Sequence, residues 1–372
     1  MAGPEWCIDE HRGLAGLAEV ETDWRRLYDE TDSPAAWHLY DAFAVYARTL
    51  CPDPEGLRLL VLRDGVGARA ILPIEERADT SLGFPLRVWG LCWDETWRPT
   101  DAVGPEDESR EHLLPCAVEH LRRQPRRPQL FVMGQTQADS LVWRGLQQVD
   151  RAFEFDDTVE ARFRTDMSFG DFTARMKRSW RQPLNADRRR FEAQAGAEYV
   201  RARTAEELEA EFERWLTVEA SGWKGSAGTA VSQNQGRVEF YREMARSVHN
   251  GGRCEIGALH LDGECIAATF CVVTKHEIAE YKTGYDERFR EYSPGVVLAH
   301  KVFEWACEDP QIEWVSGISE APWMSRWRPE KRVQRRAYVP LAPLGSLLTL
   351  LMRLRYGPVR AAVRALKRSR LR

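Results

Sequence analysis

Eight cysteines are spread through the 372 residues without a C-x-x-C pair: Cys7, Cys51, Cys92, Cys116, Cys254, Cys265, Cys271 and Cys307. This spacing excludes a disulfide framework or a zinc ribbon and points to reduced, mostly buried thiols in a cytoplasmic protein. Long apolar runs are missing too. The longest, Leu341 to Met352, is broken by Pro343, Gly345, Ser346 and Thr349 and is too short to span a bilayer. The first ten residues carry acids and no apolar core, so no signal peptide is expected. The net charge is only −4, which excludes a polyanion binder over the whole surface and leaves local patches for nucleic acid or membrane. Histidines number 8, and His276 and His300 have no second histidine at ligand spacing, so no metal is expected. What the chain does have is 14 tryptophans, 43% hydrophobic and 30% charged residues. This is the balance of a soluble globular protein with one large or two medium domains and large aromatic cores or clefts.

Periodicity predicts a mixed α/β first part, to about residue 160. Thr22 to Asp29 and Ala36 to Leu50 carry apolar residues at helical spacing. Leu57 to Leu62 reads as a strand, Asp64-Gly65 as a hairpin turn and Ala68 to Ile74 as the partner strand. Leu86 to Leu91 and Gln129 to Gly134 read as further strands, with an amphipathic helix over Ser109 to Arg123 between them. From residue 204 the pattern resumes with helices at Glu206 to Ala220 and Val238 to His249. Three strands follow, Cys254 to Leu261, Glu264 to Thr274 and Glu277 to Tyr285, the first two joined at Asp262-Gly263. Then come a helix, Pro294 to Cys307, with Ser293 as N-cap, and a strand, Gln311 to Val315. Hairpin, strand, helix and strand occur in both halves, as in a duplicated unit.

Two segments differ in composition. Residues 161–203 are rich in arginine, and Phe169 to Trp180 and Ala186 to Ala195 read as two helices separated at Pro183. The arginines can line an anionic cleft or simply coat a solvated helix face. Residues 341–372 carry arginine and lysine without an acid and keep helical apolar spacing across Gly357-Pro358. Such a basic amphipathic tail suits anionic lipid or a packed final helix with a basic end.

The most informative stretch runs from Glu280 to Leu298: a strand, a polar turn, and Ser293-Pro294-Gly295 opening an apolar helix. Amides at such a helix start can hold an anion, although the same residues also read as an ordinary cap. Further motifs accompany it. They are Trp180-Arg181 through the Arg188-Arg189-Arg190 run to Gly196, Val218-Glu219-Ala220-Ser221-Gly222-Trp223-Lys224-Gly225, Leu261 to Ala267, and Tyr285-Asp286-Glu287. Together these motifs resemble the BioF2-like (CelD-like) acetyltransferases, a branch of the GNAT superfamily related to the FemABX peptidyltransferases. The resemblance is best from about 165 to 335 and weaker through Arg63 to Pro73. The chain departs from the family at Val315-Ser316-Gly317, where an Asp is usual. It departs from the peptidyltransferases at Met324-Ser325-Arg326-Trp327, where they carry Phe-Lys.

The resemblance implies an α/β (α+β) fold of two tandem GNAT-like domains, each a mixed, mostly antiparallel sheet flanked by helices. The expected boundaries are 1–160, an arginine-rich connection at 161–203, 204–340, and the basic tail at 341–372. It implies an N-acyltransferase that moves an acyl group from a thioester, acyl-CoA as cosubstrate, to a small-molecule or glycan amine held between the domains. Ser293, Gly295, Val296, Val297 and Leu298 would hold the donor, and Trp223, Lys224, Lys282 and Arg181 the substrate. Glu219 is the expected general base and Asp286 the second candidate, and Tyr281 or Tyr285 would protonate the departing thiolate. Alternation sets Tyr281 and Tyr285 on one strand face and Lys282 on the other. A strand amide near Lys282 to Gly284 would stabilise the oxyanion. No Ser/Cys–His pair is visible, so direct attack is expected. Two alternatives stand beside this reading. One is aminoacyl-tRNA-dependent amide formation, with tRNA on the arginine-rich segment. The other is a non-catalytic accessory protein of envelope polysaccharide assembly, held at the membrane periphery through residues 345–372.

Overall fold

The turn at Asp64 closes as its residues dictate: the carboxylate accepts from the amides of Val66 and Gly67 at 2.7 and 2.9 Å, and the flanking apolar runs pair antiparallel. A computed structural model of the protein describes residues 5–32, 35–97, 101–138 and 140–357. They fall into two units. The first takes the described residues within Met1–Asp32, Cys51–Thr158 and Val333–Arg372, and the second those within Ser33–Leu50 and Val159–Arg332.

The first unit begins with β1 (Cys7–Arg12), α1 (Gly13–Glu19) and α2 (Glu21–Asp29). The next helix, α3 (Tyr40–Thr49), belongs to the second unit. The first unit continues with β2 (Arg58–Arg63), β3 (Ala68–Asp79), β4 (Leu86–Leu91), α4 (Ser109–Arg123) and β5 (Leu130–Gln137). Strand β6 (Phe153–Arg164) carries the chain into the second unit. There follow α5 (Phe169–Ala174), α6 (Arg178–Glu192), β7 (Glu198–Ala202), α7 (Ala205–Ser221), α8 (Trp223–Ser226) and α9 (Gln235–Ser247). The unit ends with β8 (Arg253–Leu261), β9 (Glu264–Val273), β10 (Glu277–Tyr285), α10 (Pro294–Glu308) and β11 (Trp314–Ser316). The chain returns to the first unit through β12 (Glu330–Pro340) and α11 (Pro343–Tyr356).

The first unit orders its strands β1-β2-β3-β4-β5-β12, and only β4 and β5 run parallel, joined by the crossover through α4. In the second, the order is β6-β11-β10-β9-β8-β7, and only β10 and β11 run parallel, joined through α10. One scheme therefore occurs twice, as the sequence predicted. Each unit packs its own core: Leu72, Trp89, Leu113 and Phe131 in the first, Phe163, Phe191, Leu298 and Phe303 in the second. Asp262 and Gly263 both take positive φ, 50° and 80°, as a two-residue hairpin turn requires.

The expected boundaries need correction. Residues 161–203 are no separate connection but part of the second unit, and 343–356 form a helix of the first. Residues 358–372, the rest of the basic tail, lie outside the described residues. Pro183 does not separate two helices. The helix α6 runs through it because Leu184 and Phe191 are buried and hold its apolar face, which offsets one missing backbone donor. The chain breaks earlier, at Lys177, whose backbone is extended. The Ala36 helix also divides, at extended Leu39.

Candidate active site

The geometry begins with β10. Its parallel pairing with β11 stops after three residues, at Ala279 opposite Ser316, while its pairing with β9 continues to Tyr285 opposite Ala267. The two parallel strands part because β11 turns away. The Gly317 amide donates to the Ala161 carbonyl at 2.9 Å, the Ile318 amide donates to the Ser316 hydroxyl at 3.0 Å, and Ile318 takes a φ of 57°. The Ser316 hydroxyl itself donates to buried Glu160. From Glu280 onward, β10 therefore borders an opening instead of a strand. That opening is a cavity of about 590 Å³ within the second unit, between β10, the start of α10 and the segment 317–326.

A β-bulge sits at the same place. Glu280 lies opposite Cys271 and Lys282 opposite Phe270, so Tyr281 is one residue extra. Tyr281 and Tyr285 line the cavity together, as alternation predicts, and the bulge brings Glu280 to the same side, so Glu280, Tyr281, Thr283 and Tyr285 all line it. Lys282 does not line it, and its carbonyl accepts from the Trp215 indole at 3.1 Å. Glu280 is 7% exposed, and burial pushes its carboxyl up to about 7, opposed only by a hydrogen bond from the Thr269 hydroxyl. The sequence reading missed this residue. Its signal was an acid in the middle of a strand with neighbours on both sides.

The other predicted acids are engaged elsewhere. Glu219, 1% exposed near the end of α7, lies 3.2 Å from the Lys224 ammonium and accepts from the Val231 amide at 2.9 Å. Lys224 also donates to the Thr283 carbonyl at 2.7 Å, so the pair ties α7 and α8 to β10, and Lys224 reaches the cavity wall. Glu219 itself does not line that cavity. Asp286 caps the following turn, accepting from the Arg288 amide at 2.9 Å and from its guanidinium at 2.9 and 2.6 Å. The Arg288 side chain holds its carboxyl below the ordinary range, which suits a cap and not a base.

At the helix start the expected donor contacts divide. Ser293 lines the cavity but is not a side-chain cap. It takes a left-handed conformation, φ 49° and ψ 49°, and its carbonyl accepts from Val296 and Val297 at 2.9 and 3.0 Å. Val297 and Leu298 are buried in the apolar core, so their side chains are not available to a ligand. Gly295 and Val296 line the cavity. A Cβ on Gly295 would lie 3.0 Å from the Tyr285 ring, so glycine lets that ring pack on the helix start. Arg290 and Arg326 add cationic walls, and the Arg326 guanidinium lies 4.9 Å above the Trp180 ring centre. Arg181 is not among the lining residues, and the Trp223 side chain lies outside the described residues.

Away from the cavity, Glu211, His260 and Cys265 bring candidate ligand atoms within 4.8 Å of one another. Arg214 pairs with Glu211 at 2.5 Å, and this cation opposes a metal ion there. Chemically, the cavity offers a buried carboxyl poised to exchange a proton near neutral pH, a helix start for an anion, and tyrosines on the same strand.

Residues 178–322, less than half of the chain, match the acetyltransferase (GNAT) domain family. The fold is similar to that of FemX, with a TM-score of 0.61 at 8% identity over 88% of this chain and 98% of that one. It is similar to the C-terminal domain of a putative lysylphosphatidylglycerol synthetase from Agrobacterium fabrum, with a TM-score of 0.56 at 12% identity over 89% and 95%. It also resembles L-PGS from Bacillus licheniformis, with a TM-score of 0.54 at 14% identity over 91% and 97%. No curated protein matches the sequence significantly. The GNAT resemblance expected from the sequence motifs is borne out by the family match over residues 178–322, and the likeness to FemX is one of fold.

Proposed function

We propose that the protein transfers an acyl group from acyl-CoA to a small-molecule or glycan amine in the cavity between β10 and α10, with Glu280 as the general base. The observation that carries this reading is Glu280 itself: a buried carboxyl pushed up to about 7 at the lip of the opening left by β11. A base titrating there accepts a proton from an attacking amine near neutral pH. The donor's phosphates would meet the start of α10 at Gly295, with Arg290 and Arg326 as counter-charges. Tyr281 and Tyr285, which line the same wall, are the candidates to protonate the leaving thiolate. The backbone of the bulge is the candidate to stabilise the oxyanion. Glu219 and Lys224 hold the wall in position. Release of free thiol from acetyl-CoA, measured with a panel of amines between pH 5 and 9, tests the reading. Amine-dependent release that rises through about pH 7 and vanishes in Glu280→Gln supports it. Release that is independent of Glu280 contradicts it.

A second reading, an aminoacyl-tRNA donor, is favoured by the exposed arginines of α6, among them Arg189 and Arg190. It predicts a tRNA mobility shift that weakens steeply with salt and is lost when these residues are changed to glutamate.

A further inference from the structure

Large exposed apolar side chains concentrate on α11 of the first unit. Leu344, Leu347, Leu350, Leu351 and Leu354 are between 42% and 61% exposed. Leu344, Leu347, Leu351 and Leu354 follow helical spacing and form one stripe, while Leu348 and Met352 on the other side pack beside Val88 and Tyr338. A stripe of this kind in water marks a surface that something covers.

The surroundings of α11 say what. Arg353 borders a cavity of about 520 Å³ that Arg144, Arg151 and Arg335 also line, with Glu154 as its acid. Arg335 is partly balanced by Asp156 at 3.3 Å and Glu154 at 3.8 Å, while Arg151 and Arg353 donate to neutral oxygens, the Ser346 hydroxyl and the Ala152 carbonyl. The cavity thus keeps a cationic surplus. Beyond Gly357 the sequence adds Arg360, Arg364, Lys367, Arg368, Arg370 and Arg372 and no acid. A second copy of this chain would bring like charge against like charge. An anionic bilayer supplies both the apolar phase and the opposite charge. No helix among the described residues is long and apolar enough to cross a membrane, so the contact would be peripheral.

We propose that α11 docks the protein on an anionic phospholipid surface, with its leucine stripe in the acyl boundary and a lipid phosphate in the arginine-lined cavity. Sedimentation of the full chain with vesicles tests this, comparing phosphatidylcholine alone with a phosphatidylcholine–phosphatidylglycerol mixture. Binding at least about tenfold tighter to the mixture, weakened by salt, is expected. Leu347→Asp with Leu354→Asp, both on the exposed face, lowers that binding at least about tenfold while the melting temperature is kept. Arg144→Glu weakens binding to the mixture and leaves the low binding to phosphatidylcholine as it was. The proposal is overturned by equal binding to both vesicles, by no binding, or by leucine variants that bind like the parent. It is also overturned if light scattering finds a dimer, without vesicles, that the leucine substitutions dissolve.

Discussion

Among single residues, Glu280 and Glu219 show how two buried carboxylates come to different ends. Glu219 has Lys224 and the Val231 amide beside it, whereas Glu280 has only a threonine hydroxyl. Glu280→Gln should lower acyl transfer by about 10² to 10⁴. It should also change stability with pH in a set direction. The folded carboxyl titrates near 7 and the ordinary value is 4.5, so folding favours the protonated form. That contribution is full below about pH 4.5 and is lost as pH rises through 7, to a total of about 3 kcal/mol. The glutamine variant does not ionise, so its melting temperature should gain on the parent's between pH 5 and 8. An equal difference at both ends would contradict the burial of Glu280. Glu219→Gln should act otherwise, costing about 1–3 kcal/mol by leaving Lys224 without its counter-ion, at every pH where Lys224 is charged. A parent-like denaturation midpoint in that variant would show that the Glu219–Lys224 pair holds nothing together.

The elements that form the site were only partly legible in the sequence. Strands β8, β9 and β10 and helix α10 follow from periodicity and from the turn at Asp262-Gly263, because those signals are local. The bulge at Tyr281 and the parting of β10 from β11 are not local. They depend on Gly317 bonding to Ala161, far away in sequence, and so the residue that the opening exposes, Glu280, went unnoticed. Ser293 has the residue type of a cap and the residues after it those of a helix start, but it also closes the preceding turn Glu287–Tyr292, its backbone is left-handed and its side chain caps nothing. The strands β1, β6, β7 and β12 were missed for a related reason: their alternation is diluted by charged residues that pair across the sheet, as Arg58 does with Glu10. One prediction belongs to this scale. Helix α7 crosses β10 at Gly284, where an added Cβ would lie 2.4 Å from the Glu219 Cα. Backbone cannot yield there as a side chain can, so Gly284→Ala should cost at least about 2 kcal/mol in chemical denaturation. A parent-like midpoint would mean that α7 is free to move off the strand.

For the molecule as a whole, duplication of one scheme has left two units with different interiors. In the first, the Arg77 guanidinium lies against Gly90 of β4 and Gly134 of β5, 2.7 Å and 3.5 Å from where their Cβ atoms would be. In the second, the equivalent parallel pair opens onto the cavity beside Glu280 and Gly295. The central claim is that this cavity takes an acyl-CoA donor, and calorimetric titration with acetyl-CoA, beside Gly295→Glu, tests it most directly. That substitution adds a carboxylate at the helix start and presses on the Tyr285 ring, 3.0 Å from the new Cβ. The account predicts a Kd on the order of 10 μM for the parent and no measurable binding by a variant that still melts cooperatively. No binding by the parent at millimolar donor, or equal binding by both proteins, would contradict it.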